Sequence, residues 1–494
     1  MAGSFFANAA VRFFYTLNLW YENSLIHKSA ERLAAYSKKS LAAKILRRLF
    51  AESRTDWVEG SYVFAAARRI GSFVWRGIST AKNSLSIKIF ALEGFAPSLL
   101  KPELAMCAFV LLLSVLPADY WNNMYSLYAA VLLAVCYAAN LILYPERKAA
   151  HKKIPASLAV YFGIIVFNLF LGTEFSDSLR VTAIFFSCAA TGILAQNILN
   201  TEKRLDLFLT AAFAGVFITS VYGLYQYAAG IEVRADLVDL LASPGLRRVF
   251  STMANPNNYA EYLILFLPFC VSFALKRESA RGKFLAVSML APMFIALALT
   301  SSRSAYLAAA GAAALYVFFA NKRLIPLLAL ALILAAPFMP ASIVGRLMTI
   351  GSDSSSKYRL MIWEASVAAL KDFWVFGVGM GPAAFNKIYR IYSNQNAVNA
   401  MHAHNLFLQV WIENGIFGFV AFAAFYAGLI KKLISGLAAR SGIKTDGYRI
   451  AALCSLVGFA AFGTVEYTWF YPRVTLSFWI VAGVALGIAG RAGE

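Results

Sequence analysis

The sequence predicts an all-α polytopic membrane protein with about 12 transmembrane helices, and three observations carry that reading. Of 494 residues, 60% are hydrophobic and only 14% are charged, where an ordinary soluble chain carries about a quarter charged. Apolar runs of membrane-spanning length or slightly less recur from residue 104 onward, and backbone in lipid must satisfy its own hydrogen bonds, which selects helices. The positive charges are placed asymmetrically. With the N-terminus inside, 33 of the 45 Lys and Arg residues fall on its side of the membrane. By the positive-inside rule both termini are cytoplasmic. The net charge of +20 is therefore a topology signal, and no nucleic-acid partner is expected.

The spans expected in order are 104–117, 125–144, 157–172, 178–198, 206–229, 259–275, 283–300, 304–320, 323–339, 405–430, 450–468 and 474–489. They divide the chain into four parts. Residues 1–103 mix Phe, Trp and Leu with Lys and Arg at helical spacing, as in Leu41–Phe50 (LAAKILRRLF) and Val63–Trp75 (VFAAARRIGSFVW). Such basic amphipathic helices suit the inner leaflet, with membrane lipids as partners; a soluble helical or partner-docking region is the alternative. No cleavable leader is expected in the first 50 residues. Residues 104–339 form the first nine transmembrane helices, 340–404 a large extracytoplasmic loop bearing short helices, and 405–494 the last three spans. The five cysteines all fall in expected helices without paired spacing and read as small buried hydrophobes.

Polar residues gather on the outer side of the second half. Arg247-Arg248 precede Asn255-Pro-Asn257, where Asn-Pro disfavours helix and places a turn before the next span. Thr300-Ser-Ser-Arg303 is a polar knot between two apolar helices, with Arg303 either functional or snorkelling to headgroups. In the large loop, Tyr358–Leu370 reads as an amphipathic helix carrying Arg359 near its start, followed by a Gly377-Val-Gly379-Met-Gly381 turn. Glu466 and Arg473 bracket the last outer corner.

One stretch stands out, MHAHNLFLQVWIENGIFG from Met401 to Gly418, with two of the four histidines. Helical spacing puts Asn405, Gln409 and Glu413 on one stripe with His404 at its mouth. Polar groups at membrane depth usually face a cavity, which makes the stripe a candidate site. Alternatively, Asn405 merely caps the helix and Gly415 and Gly418 admit a neighbour. Several guanidinium groups could converge on one dianionic group, and a histidine among them suits a general base. His402-x-His404 is a weak zinc signal: i and i+2 do not face each other on a helix, and no external carboxylate partner is obvious. Neither a metal nor any other cofactor is expected. A lipid-linked glycan transporter would place more charge within the spans, and a membrane scaffold organised by residues 1–103 is a third reading.

Residues 200–490 resemble the bacterial O-antigen ligase and polymerase superfamily. The resemblance rests on His404-Asn405-x9-Gly415-x-x-Gly418, Asn255-Pro-Asn257, Ser302-Arg303, and Arg359-x-x-x-Trp363 followed by Gly377-x-Gly379. It implies a C-type, metal-independent, inverting glycosyltransferase in the cytoplasmic membrane with an extracytoplasmic site. The implied donor is an undecaprenyl-diphosphate-linked glycan, and the acceptor a glycan, lipid A-core or lipid-linked hydroxyl. A polymerase joining lipid-linked repeat units is the alternative. His404 is the implied catalytic base, with Arg303 and Arg359 first and Arg248 and Arg473 next as diphosphate ligands. His402, Asn405, Gln409, Glu413, Glu466, Asn255 and Asn257 support them, and Gln409 and Glu413 are expected to orient the histidine or bind sugar.

Overall fold

Among the described residues most helices overlap the expected spans, and their ends sort into two groups. The computed structural model describes residues 101–143, 154–233, 247–326, 330, 354–393, 399–437 and 443–490, which are all-helical and contain no strand. In chain order they form α1 (Pro102–Val115), α2 (Tyr125–Leu143), α3 (Ala156–Leu171), α4 (Phe175–Ile198), α5 (Glu202–Ala229) and α6 (Pro256–Leu275). After these come α7 (Ala280–Leu299), α8 (Arg303–Asn321), α9 (Ser354–Phe373) and α10 (Pro382–Tyr392). The last three are α11 (Leu406–Ser435), α12 (Ile443–Gly463) and α13 (Pro472–Gly490). Seven of these, α4 to α8, α11 and α13, are long and apolar enough to cross a membrane, and α1 to α3 are shorter apolar helices. The amphipathic helices expected over 1–103, and the ninth span from residue 327 on, lie outside the described residues apart from 101–103 and 330.

Helix starts follow their sequence signals. Thr201 and Ser279 accept from Arg204 N–H and Gly282 N–H at the heads of α5 and α7. Asn255 caps α6 ahead of Pro256, which suits a first helical turn because proline lacks the N–H that the turn would leave unpaired. Packing pairs α4 with α13, α6 with α12, α1 with α5 and α3 with α11. The α4–α13 crossing needs small residues: a Cβ on Gly483 would overlap the Gly192 carbonyl, and one on Gly192 the Trp479 carbonyl. Trp479, Phe185, Trp469 and Phe422 knit the helices around it. Buried hydroxyl pairs add interhelical hydrogen bonds, Ser114 with Tyr262 and Ser272 with Tyr316, each at 2.6 Å.

The two ends of the bundle differ in chemistry. At one end ion pairs tie helix termini together: Lys276 to Glu202 at 2.5 Å and Arg204 to Glu103 at 3.7 Å, with Tyr448 on Asp206 nearby. At the other end lie the outer corners of the sequence reading, joined by α9 and α10. The helix α10 is a second short helix in the large loop, after the glycine turn, at a place the sequence reading did not specify. Its apolar face, Phe385, Ile388 and Tyr389, packs with Ile362 and Ala369 of α9 and Ile412 of α11 in a small core of its own.

The helix α11 is broken at Gly415, whose φ of 65° and ψ of −176° are not helical. A break frees backbone groups that lipid cannot satisfy. The chain from Trp374 to Gly379 satisfies them. Val378 N–H donates to Ile412 O at 2.8 Å, Gly379 N–H to Glu413 O at 3.1 Å, and Ile416 N–H to Trp374 O at 2.8 Å. Gly377 and Gly379 hold φ of 75° and 95° to follow this path, a region costly for residues bearing a Cβ. The glycine turn and the histidine motif are two halves of one joint.

Candidate active site

The His404 corner is held by three devices. Asn405 caps α11, its Oδ1 accepting from Phe407 N–H and Leu408 N–H at 3.0 Å each, while its Nδ2 donates to Thr464 O at 2.8 Å. On α9, Trp363 Nε1–H donates to Ala403 O at 2.9 Å, pinning the residue between the two histidines. Gln409 Oε1 accepts from Ala403 N–H at 2.7 Å. His404 itself has φ of 45°, an uncommon conformation for a residue with a side chain, of the kind that concentrates at functional sites. It carries the His404 N–H to 3.2 Å from His402 Nδ1 and brings the two rings to 4.1 Å between centroids.

Glu466 is the hub. Its Oε1 lies 2.7 Å from His404 Nδ1, and its Oε2 accepts from Arg359 at 3.1 Å and from Asn257 Nδ2 at 3.4 Å. Arg248 extends the network, donating to Asn257 Oδ1 at 3.0 Å and to Thr300 O at 2.9 Å. Burial alone would raise the Glu466 carboxyl, but His404 and Arg359 outweigh it and hold the group well below the usual carboxylate range. An ionised Glu466 accepting from Nδ1–H leaves His404 Nε2 as the basic nitrogen, and Nε2 has no partner among the described residues. Burial, reinforced by His404 and by Arg359 against the pull of Glu466, pushes His402 down to about 3, so it stays neutral. Arg359 retains a buried Nε without a hydrogen bond.

The expected residues separate into groups. His404, His402, Glu466, Arg359, Asn257 and Arg248 come together, and Asn255 caps α6 with its Oδ1 on Asn257 N–H at 2.8 Å. Arg303 opens α8 three residues beyond Thr300, at the same corner as Arg248, and is partly buried. Arg473 does not join them. It is buried, and its guanidinium donates to Leu113 O, Thr252 O and Ser114 O at 2.7, 2.8 and 3.0 Å, closing the end of α1. Gln409 and Glu413 do share a stripe, but among the described residues neither hydrogen-bonds the His404 ring. Gln409 Nε2 donates to Glu413 Oε1 at 2.9 Å, and the same oxygen accepts from Gly381 N–H at 3.2 Å. These two residues brace the loops, and Glu466, 62 positions along the chain, orients the histidine.

Two further expectations are corrected. His402 and His404 do face each other, because they precede the helix and the positive φ at His404 folds one ring over the other. A carboxylate partner does exist: His402, His404 and Glu466 place ligand atoms within 4.8 Å of one another, the spacing a metal ion could use. His402 Nδ1, His404 Nδ1 and both Glu466 oxygens already make hydrogen bonds, and a cation on Glu466 would sit beside the Arg359 guanidinium. Sequence reading also missed Tyr358, whose ring meets His404 edge-on at 5.8 Å, and Glu261, buried on α6 one turn beyond Asn257 and within electrostatic reach of Glu466. A glutamate inside an apolar span was the available signal for the second.

Fold and site together define a multi-pass helical membrane protein with a histidine–carboxylate–arginine centre at one end of its bundle. Residues 288–423 match the family model described as O-antigen ligase, which supports the resemblance to the O-antigen ligase and polymerase superfamily and an enzyme of ligase or polymerase type. The match spans Arg303, Arg359 and His404 and stops short of Glu466. No curated protein matches the chain.

Proposed function

We propose that the protein transfers a glycan from an undecaprenyl-diphosphate carrier to an acceptor hydroxyl at the outer face of the cytoplasmic membrane, in one inverting displacement that needs no metal. The observation that carries this reading is the pairing of His404 Nδ1 with Glu466 at 2.7 Å, in a carboxylate that also holds Arg359. His404 Nε2 takes the proton of the acceptor hydroxyl as its oxygen attacks the anomeric carbon. The bond from that carbon to the diphosphate oxygen breaks, and negative charge develops on the leaving group. Arg359 and Arg303, with Arg248 in support, are assigned the stabilisation of that charge. Glu466 keeps Nδ1 protonated and stabilises the imidazolium that forms, the role a carboxylate plays behind many histidine bases. Arg473 is left out of the donor site because its donors are committed to backbone carbonyls.

Transfer from a purified lipid-linked oligosaccharide tests this. His404→Ala should abolish transfer while the protein still inserts, and Glu466→Gln should lower kcat by about 10²–10⁴-fold, because the amide N–H₂ turned toward Nδ1 selects the tautomer lacking a basic Nε2. A chelator should change nothing. Full activity in His404→Ala would remove the base mechanism, and loss with chelator would turn the three ligand atoms into a metal site. A ladder of products identifies a polymerase, and a single product on lipid A-core identifies a ligase.

A further inference from the structure

The corner between α1 and α2 holds polar groups that the reaction above does not use. Trp121, Asn122, Asn123 and Met124 of this corner, with Arg180 and Ile184 of α4, line a recess of about 360 Å³. It lies at the site end: Arg473, whose Nη1 bonds Thr252 O ahead of the Asn255 corner, sits over one face of the Trp121 ring at 4.8 Å. Two donor groups there are unengaged, and the Trp121 ring supplies an aromatic wall. Asn122 uses its Oδ1 on Met124 N–H at 2.9 Å, leaving its Nδ2 without a partner among the described residues, and the Asn123 amide has none. Arg180 is already paired with Asp177 at 2.8 Å, so the recess does not ask for a phosphate or carboxylate. Met124 and Ile184 supply apolar walls.

Two primary amides, an aromatic ring and apolar walls, with charge already neutralised, match an uncharged ligand carrying many hydroxyls on a ring with an apolar face. We infer that the Trp121–Asn122–Asn123–Arg180 recess binds a neutral sugar unit of the glycan, apart from the His404 centre. This assignment rests on the glycan-transfer reading for the identity of its ligand.

The test is saturation-transfer NMR on the purified full chain, using the oligosaccharide released by mild acid from the host's lipid-linked glycan pool. Binding is read in wild type, in His404→Ala, and in Asn122→Ala/Asn123→Ala and Arg180→Ala made on the His404→Ala background. Both asparagines and Arg180 are exposed, so these changes spare the fold, and a thermal melt checks that. Saturation transfer that persists in His404→Ala and falls at least fivefold in the asparagine variant supports the subsite. An unchanged signal in the corner variants, a signal lost with His404→Ala alone, or no signal in wild type overturns it. If instead spin-labelled phosphatidylglycerol loses contact with the corner in Arg180→Ala while sugar binding is unaffected, the recess is a lipid headgroup site and the inference fails. The transfer assay is read separately: activity in wild type with no sugar at this corner rejects the subsite alone.

Discussion

Glu466 meets His404, Arg359 and Asn257 from three different segments of the chain, so its environment is built by tertiary structure alone. The histidine was legible in the sequence because His404-Asn405 sits at a fixed distance from Gly415; the carboxylate was not, because nothing local links Glu466 to a residue 62 positions away. His402 was legible as a neighbour, but its stacking required the positive φ at His404, which no residue type announces. That stacking has a consequence for stability. The folded His402 is held down to about 3 against about 6.5 in an unfolded chain. Below ~6.5 the unfolded state takes up a proton that the folded state refuses, so stability falls as pH drops through this window. Glu466 acts in the same direction, but only below its unfolded value of ~4.3, so it adds nothing to the His402 slope between pH 6.5 and 5. Thermal melts of the detergent-solubilised protein should lose stability over that interval. His402→Gln, which keeps an acceptor for His404 N–H, should flatten the loss, and an unchanged slope would show that the ring is hydrated and titrates freely.

At the scale of elements, hydropathy located the helices well, because a helix in lipid is an apolar run with few alternatives. It ran α11 straight through Gly415, since the apolar pattern continues on both sides of the break. The break is set by what docks there. Replacing Gly415 by alanine would force a Cβ into the Val375 carbonyl and hold a non-glycine residue at φ of 65°. The adjoining bonds, Val378 to Ile412, Gly379 to Glu413 and Ile416 to Trp374, would then loosen together. Gly415→Ala should therefore lower transfer at least tenfold and expose the Trp374–Gly379 stretch to limited proteolysis. The control is Gly428→Ala on the same helix, where a Cβ meets nothing within 4 Å; it should leave activity and cleavage as in wild type. Equal behaviour of the two variants would mean that the glycine turn does not lean on the break.

For the whole molecule, two independent patterns meet. Packing sorts the helix ends so that the Lys276–Glu202 and Arg204–Glu103 pairs share one end, and the His404–Glu466 centre occupies the other. Packing cannot say which end faces the cytoplasm, because a bundle folds equally well either way up; the distribution of Lys and Arg carries that information. The proposed chemistry depends on the answer, since the donor it invokes, presented outside, is useless to a centre facing inside. Lys203 and Lys387 are exposed at opposite ends, and four of the five native cysteines are buried, so impermeant maleimide on intact spheroplasts can separate the two orientations. Lys387→Cys should label from outside without permeabilisation, and Lys203→Cys only after the membrane is opened. Labelling of Lys203→Cys in intact cells with protection of Lys387→Cys would invert the protein, place His404 on the cytoplasmic side, and overturn the proposed transfer to an extracytoplasmic acceptor.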